Sequence, residues 1–160
     1  EQVLSIEPIE SDKNLKDLYE PNVLNNLGVA LKTIGLLDES EEKLIRAIDL
    51  NPKLASAYNN YGNLLNEKAD IPRAQKYFLK AIDIDPTSFI AYWNLHSTVN
   101  EAHKAKAIIE QCLVQSPLFK EAIFTLAGMN AFSGDRGHFT DLMASGFANE
   151  PLLRSIKWVL

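Results

Sequence analysis

Three asparagines, Asn26, Asn60 and Asn94, follow one another at intervals of 34 residues. Asn59, Asn63 and Asn66 add a stripe at i, i+4 and i+7, one face of a single helix. Asparagine is a poor helix-interior residue, because its side chain competes for backbone groups. A surface that needed only solubility would be better served by Glu, Lys or Gln. A carboxamide carries one acceptor and two donors, so it can bond both the N–H and the C=O of an extended peptide. A ladder of such groups would hold a peptide backbone with little regard to its side chains. The competing use is structural: each asparagine can pin the neighbouring helix, because buried polar groups find partners.

Other chemistry is hard to assemble from this chain. His96, His103 and His138 share neither a helical face nor a metal-ligand spacing with Cys112, and a zinc site needs about four convergent N or S ligands. The stretch Gly134-Asp135-Arg136-Gly137 lacks the strand and the Lys-Ser/Thr context of a phosphate loop. The spacing supports neither a Ser-His-Asp set nor paired carboxylates. No catalytic residue, metal or cofactor is therefore expected.

The elements that must position the asparagines come in pairs. The first helix is expected over about Asn22 to Ile34, ended by Gly35, with Asp38 as N-cap of the next and Asn51-Pro52 as its stop. The second pair repeats this, with Asp70 as cap, Pro72 in the first turn and Asp85-Pro86 as stop. In the third pair the first helix is expected from about Ser88 to Val99. Pro86 to Pro117 spans only 31 residues, and the missing three are placed in the turn near Asn100. The fourth pair, Pro117 to Pro151, returns to 34, with Gly134-Asp135 as its turn and Leu142 and Met143 on its second helix. A fixed period of this length marks a stacked repeat protein.

In their register these residues resemble the tetratricopeptide repeat. The second unit matches best, with Tyr58, Tyr61, Gly62, Leu65, Ala74, Phe78, Ala81 and Pro86. The first matches through Leu24, Leu27, Gly28, Leu31, Leu44, Ala47 and Pro52, and departs at Ser40, where alanine is usual. The third departs at His96 and by its deletion, the fourth at Phe139 and Gly146. The resemblance implies an all-α fold, an α-α superhelix of right-handed sense. It divides into a flanking segment 1–20, units at about 21–54, 55–88, 89–119 and 120–153, and a capping or continuing helix over 152–160. It also implies that the first helix of each pair lines a concave groove, with Asn26, Asn60 and Asn94 pointing into it as the ladder of some family members does. Asn59, Asn63 and Asn25 are expected beside them.

Trp93, Ile90, Phe124 and Phe132 would face the same groove, and Trp93 is expected to anchor a partner side chain, while packing is the reading for Phe132. The family's other binding mode grips a C-terminal carboxylate. Its five places hold Asn25, Val29, Asn60, Ile90 and Asn94, and without Lys or Arg no charge-assisted bond to the acid can form.

Composition agrees with a folded interaction module. The 160 residues are 46% hydrophobic and 23% charged, which separates them from disordered chains. A net charge of −5 argues against nucleic acid as partner, and no apolar run reaches the length that would insert in a membrane. A single cysteine and no Asn-x-Ser/Thr site fit a reducing, cytoplasmic setting. Leu4, Ile6, Ile9, Leu15 and Leu18 could cover the open face of the first unit. The end at Trp158-Val159-Leu160 reads as cut, with a further domain expected beyond it, or as a strip through which two chains self-associate. The function expected is a non-catalytic scaffold binding a protein or peptide. The alternative is the substrate-recruiting region of a larger glycosyl-, sulfo- or methyltransferase.

Overall fold

The computed structural model describes residues 11–132, with side chains from 20 to 130. Among the described residues the ordered elements are seven helices and no strand: α1 (Ser11–Thr33), α2 (Leu37–Leu50), α3 (Ala55–Glu67), α4 (Ile71–Ile84), α5 (Phe89–His96), α6 (Ala102–Gln115) and α7 (Lys120–Phe132). α1 packs on α2, α3 on α4 and α5 on α6, the pairing that the sequence period predicts. Contacts divide the chain into two compact units, one ending at Ile84 and one beginning at Asp85.

In the first unit the pairs close where the sequence is small. A Cβ added at Gly28 would come within 2.6 Å of Leu44 Cγ, and one at Gly62 within 2.6 Å of Phe78 Cε1. Leu44, Ala47, Phe78 and Ala81 complete these contacts from α2 and α4 and are buried. Tyr61 is buried too, edge-on to Tyr77 with ring centroids 4.5 Å apart. Ser40, where the family usually has alanine, is fully buried, and its hydroxyl donates to the Gly28 carbonyl at 2.7 Å. α1 and α2 both touch α3, which joins the two pairs.

The second unit is built around Ile109, Cys112, Ala122 and Leu126. Phe119 meets Phe89 at 5.0 Å and Trp93 at 5.1 Å, both edge-on. The Cys112 thiol donates to the Phe89 carbonyl at 3.3 Å.

Local boundaries differ from expectation in three places. α1 does not start near Asn22 but at Ser11, and runs through Pro21. A proline there forfeits one backbone bond, and burial of its ring offsets part of that loss. α2 begins at Leu37 with Leu36 at the cap and no side-chain cap bond, so Asp38 sits in the first turn and pairs with Lys68 at 3.0 Å instead. The three-residue shortfall of the third pair is taken from α5, which stops at His96 rather than Val99. Hydroxyls of Ser97 and Thr98 bond the Asn94 and Leu95 carbonyls there, at 2.8 and 2.7 Å, and satisfy the helix end early.

Other punctuation is as the sequence predicts. Gly35 is left-handed at φ +83°. Asp70 caps α4 by accepting the Arg73 backbone N–H at 3.3 Å. The turn at Gly134-Asp135, Leu142, Met143, Phe139, Gly146, His138, the side chain of Phe132, and the segments 1–10 and 152–160 lie outside the described residues.

Candidate functional site

α1 and α3 are the first helices of successive pairs, and the asparagines sit where these two meet. Asn60 Nδ2 donates to Asn25 Oδ1 at 2.9 Å, and Asn25 Nδ2 donates to Asn26 Oδ1 at 3.3 Å. The three side chains thus form one chain of donors and acceptors running from α3 to α1. Asn25 is buried, Asn60 half-buried and Asn26 exposed. The pinning role foreseen for these asparagines is therefore carried by the Asn60–Asn25 bond. It does not exhaust them. The Oδ1 of Asn60, the Nδ2 of Asn26 and the whole carboxamide of half-buried Asn63 have no partner among the described residues.

The remaining candidates are placed differently. Asn59 is buried and engaged within the protein. Asn94 lies on α5 in the second unit, half-buried and also engaged. Trp93, expected as an anchor, is half-buried in the second unit. Its ring packs on Phe119 and lies 4.2 Å from the His96 ring. Ile90 and Phe124 are 40% and 44% exposed. His96 donates from Nδ1 to the Trp93 carbonyl, and burial lowers its pKa, so the ring is a packed neutral group. Among the described residues no set of His, Cys, Asp and Glu could hold a metal ion.

A second pairing across the same two helices was not foreseen from the sequence. Lys32 of α1 reaches Glu67 of α3 at 3.0 Å. Both cross-helix contacts join residues 35 apart, one more than the repeat. Opposite charges at that offset were the available signal.

The ionic groups of this unit gather on other elements. Glu41 of α2 accepts from Tyr61 at 2.7 Å and from Lys68 at 2.6 Å, and Arg73 donates to the Tyr61 hydroxyl at 2.7 Å. Lys68 first, then Tyr61, holds the Glu41 carboxyl below its ordinary pKa. Burial first, then the bond to Glu41, pushes the Tyr61 phenol up to about 12. In the second unit, burial alone pushes the Cys112 thiol up to about 11, which keeps it an unreactive core residue.

Residues 21–54 and 55–88 each match the family model of the tetratricopeptide repeat. No curated protein matches the chain. Among solved structures, that of MamA superposes with a TM-score of 0.71 at 22% identity, over 90% of this chain and 86% of that one. The first repeat domain of Spaghetti (RPAP3), bound to the HSP90 peptide SRMEEVD, gives 0.65 at 18% identity over 72% and 94%. A Thermobaculum terrenum O-GlcNAc transferase mutant gives 0.65 at 18% identity over 72% of this chain and only 23% of that one. Identities this low show a shared fold and nothing finer. None of the described helices is long and apolar enough to cross a membrane. The repeat register, the small-residue contacts at Gly28 and Gly62 and the matched family model together identify residues 21–88 as two tetratricopeptide repeats.

Proposed function

We propose that this chain is a non-catalytic interaction module that holds an extended peptide or protein segment along the α1–α3 face, with carboxamides bonding its backbone. The observation that carries the reading is the unspent hydrogen-bonding capacity of Asn26, Asn60 and Asn63 on an accessible helix face. Asn94 and Trp93 are proposed as contacts of the second unit by itself, and buried Asn59 backs the face of the first. A relative of the same fold is seen with a peptide bound, which supports this use of the scaffold. A C-terminal carboxylate is not the ligand, because none of the five clamp places is cationic.

The test is titration of a peptide library against the parent, Asn63→Ala, and an Asn60→Ala, Asn94→Ala double variant. Among the described residues Asn63 has no side-chain bond to lose, so Asn63→Ala breaks no internal contact, and the small gain in helix propensity is read separately by urea unfolding. Loss of one net hydrogen bond predicts about three- to tenfold weaker binding, and the double variant should lose more. Unchanged affinity in folded variants removes the ladder. The second reading, a recruiting arm of a larger transferase, draws on the O-GlcNAc transferase match. A cofactor-binding pattern in the gene downstream of codon 160 would favour it.

A further inference from the structure

From Glu20 on, where side chains are described, α1 holds Glu20 and Lys32 as its charged residues, and α3 holds Glu67. Glu20 stands nine residues before Val29. At about 100° per residue that is half a turn away, on the far side of α1 from the line that meets α3. Lys32 and Glu67 neutralise each other at 3.0 Å, with side chains 25% and 47% exposed. The seam therefore reads, from one end to the other, Asn25 with Asn60, then half-buried Val29 and Asn63, then a closed ion pair. Among the described side chains, a surface built this way offers donors, acceptors and one aliphatic contact, and its opposite charges are paired.

Resting on the peptide-binding reading above, we infer that the α1–α3 seam selects an uncharged extended segment, and that the Lys32–Glu67 pair sets this selectivity. A charged side chain laid against carboxamides would lose water without gaining a counter-charge, which is costly. A neutral backbone flanked by Ser, Thr, Asn, Gln, Gly or small aliphatic residues loses nothing comparable. The pair is what keeps the seam silent. Without Glu67 the Lys32 ammonium becomes an open cation at its end; without Lys32 the Glu67 carboxylate becomes an open anion. Charge complementarity then enters recognition, and with it salt dependence.

The test uses the 160-residue protein and three degenerate peptide pools of equal length: neutral, neutral with two Glu, and neutral with two Lys. Binding is measured between roughly 0.05 and 0.3 M salt, across which the Debye length falls from about 14 to about 6 Å. The parent should bind the neutral pool best, with less than about twofold change across the salt range. Glu67→Gln should shift preference toward the acidic pool by about fivefold or more at low salt, and Lys32→Gln toward the basic pool by a similar factor, both fading at high salt. A parent that prefers either charged pool, or a Glu67→Gln variant with the parent's preferences, overturns the charge selectivity. In either case, binding lost on Asn63→Ala would show that the peptide site itself stands. If no pool binds the folded parent, both readings fall together.

Discussion

Replacing Gly62 with alanine tests the close approach on which the repeat geometry depends. The new Cβ would lie 2.6, 2.7 and 3.1 Å from Cε1, Cδ1 and Cζ of Phe78. Carbon atoms in contact normally sit about 3.5–4.0 Å apart, so the methyl overlaps one edge of the ring by about 1 Å. Phe78 is fully buried, and a close-packed interior gives the ring no empty space to enter. Overpacking costs about 1–3 kcal/mol, and the upper half of that range is expected because three ring atoms are struck at once. Alanine recovers about 1 kcal/mol through helix propensity. The net expectation is a loss of about 1–2 kcal/mol, the difference of those two terms. Urea unfolding followed by helical circular dichroism should show a lower midpoint at unchanged slope. Phe78→Leu removes the obstructing ring atoms, so Gly62→Ala combined with Phe78→Leu should be more stable than the sum of the single effects by about 1 kcal/mol or more. A stabilised Gly62→Ala, or strict additivity with Phe78→Leu, would refute the idea that α3 and α4 are held together at this contact.

Three further outcomes follow from particular residues. Ala69 occupies the left-handed place in the second repeat at φ +62°, exposed, where the first repeat has Gly35 at φ +83°. Alanine costs about 1–2 kcal/mol in that conformation, and glycine's looser unfolded chain takes back about 0.4–1 kcal/mol. Ala69→Gly should therefore stabilise by up to about 1 kcal/mol and Gly35→Ala destabilise, both read from urea midpoints. Ser40→Ala installs the residue usual in the family, yet should cost about 0.5–1.5 kcal/mol, because it deletes the buried bond to the Gly28 carbonyl; a gain would show that this bond contributes nothing. The Glu41 carboxyl, lowered from 4.5 in the folded state, adds stability above its unfolded pKa that disappears as pH falls through the folded value. The stability difference between parent and Glu41→Gln should hold near neutrality, shrink below about pH 4.5 and vanish in stronger acid. A difference that stays constant into acid would remove the assignment.

The fold was legible because its causes are local and repeated. Gly28 and Gly62 recur in register with Leu44 and Phe78, and each glycine fits only a crossing helix. Asp70 and Gly35 act as their types dictate. The misplaced boundaries have tertiary causes. Pro21 looks like a helix start until its ring is seen to be buried within one. Asp38 looks like a cap until Lys68 arrives from thirty residues away. The early end of α5 needed two side-chain hydroxyls bonding back to carbonyls, a choice that composition alone leaves undecided. Within the site, the repeat period located the asparagines but not their partners. The period relates a residue to its equivalent, whereas contact joins α1 and α3 at an offset of 35, so Asn60 meets Asn25 and not Asn26.

That offset also explains how one short unit keeps two kinds of polar group apart. The ion pairs of the first unit that tie one repeat to the next through α2 involve Asp38, Glu41, Lys68 and Arg73, with Tyr61 bonded between Glu41 and Arg73. The carboxamides tie α1 to α3 directly. Exposed ion pairs are individually weak and screened by salt, so a stack that leans on them loses little by letting water in at the α2 side. A binding face has the opposite need. It must be desolvated by its partner, and an unmatched charge there would oppose docking. Placing the charges where water stays and the carboxamides where a partner displaces it meets both needs with the same repeat. Among the described residues Lys32–Glu67 is the one ion pair across the α1–α3 line, and it is there that a single substitution should change what the surface accepts without changing how the stack is built.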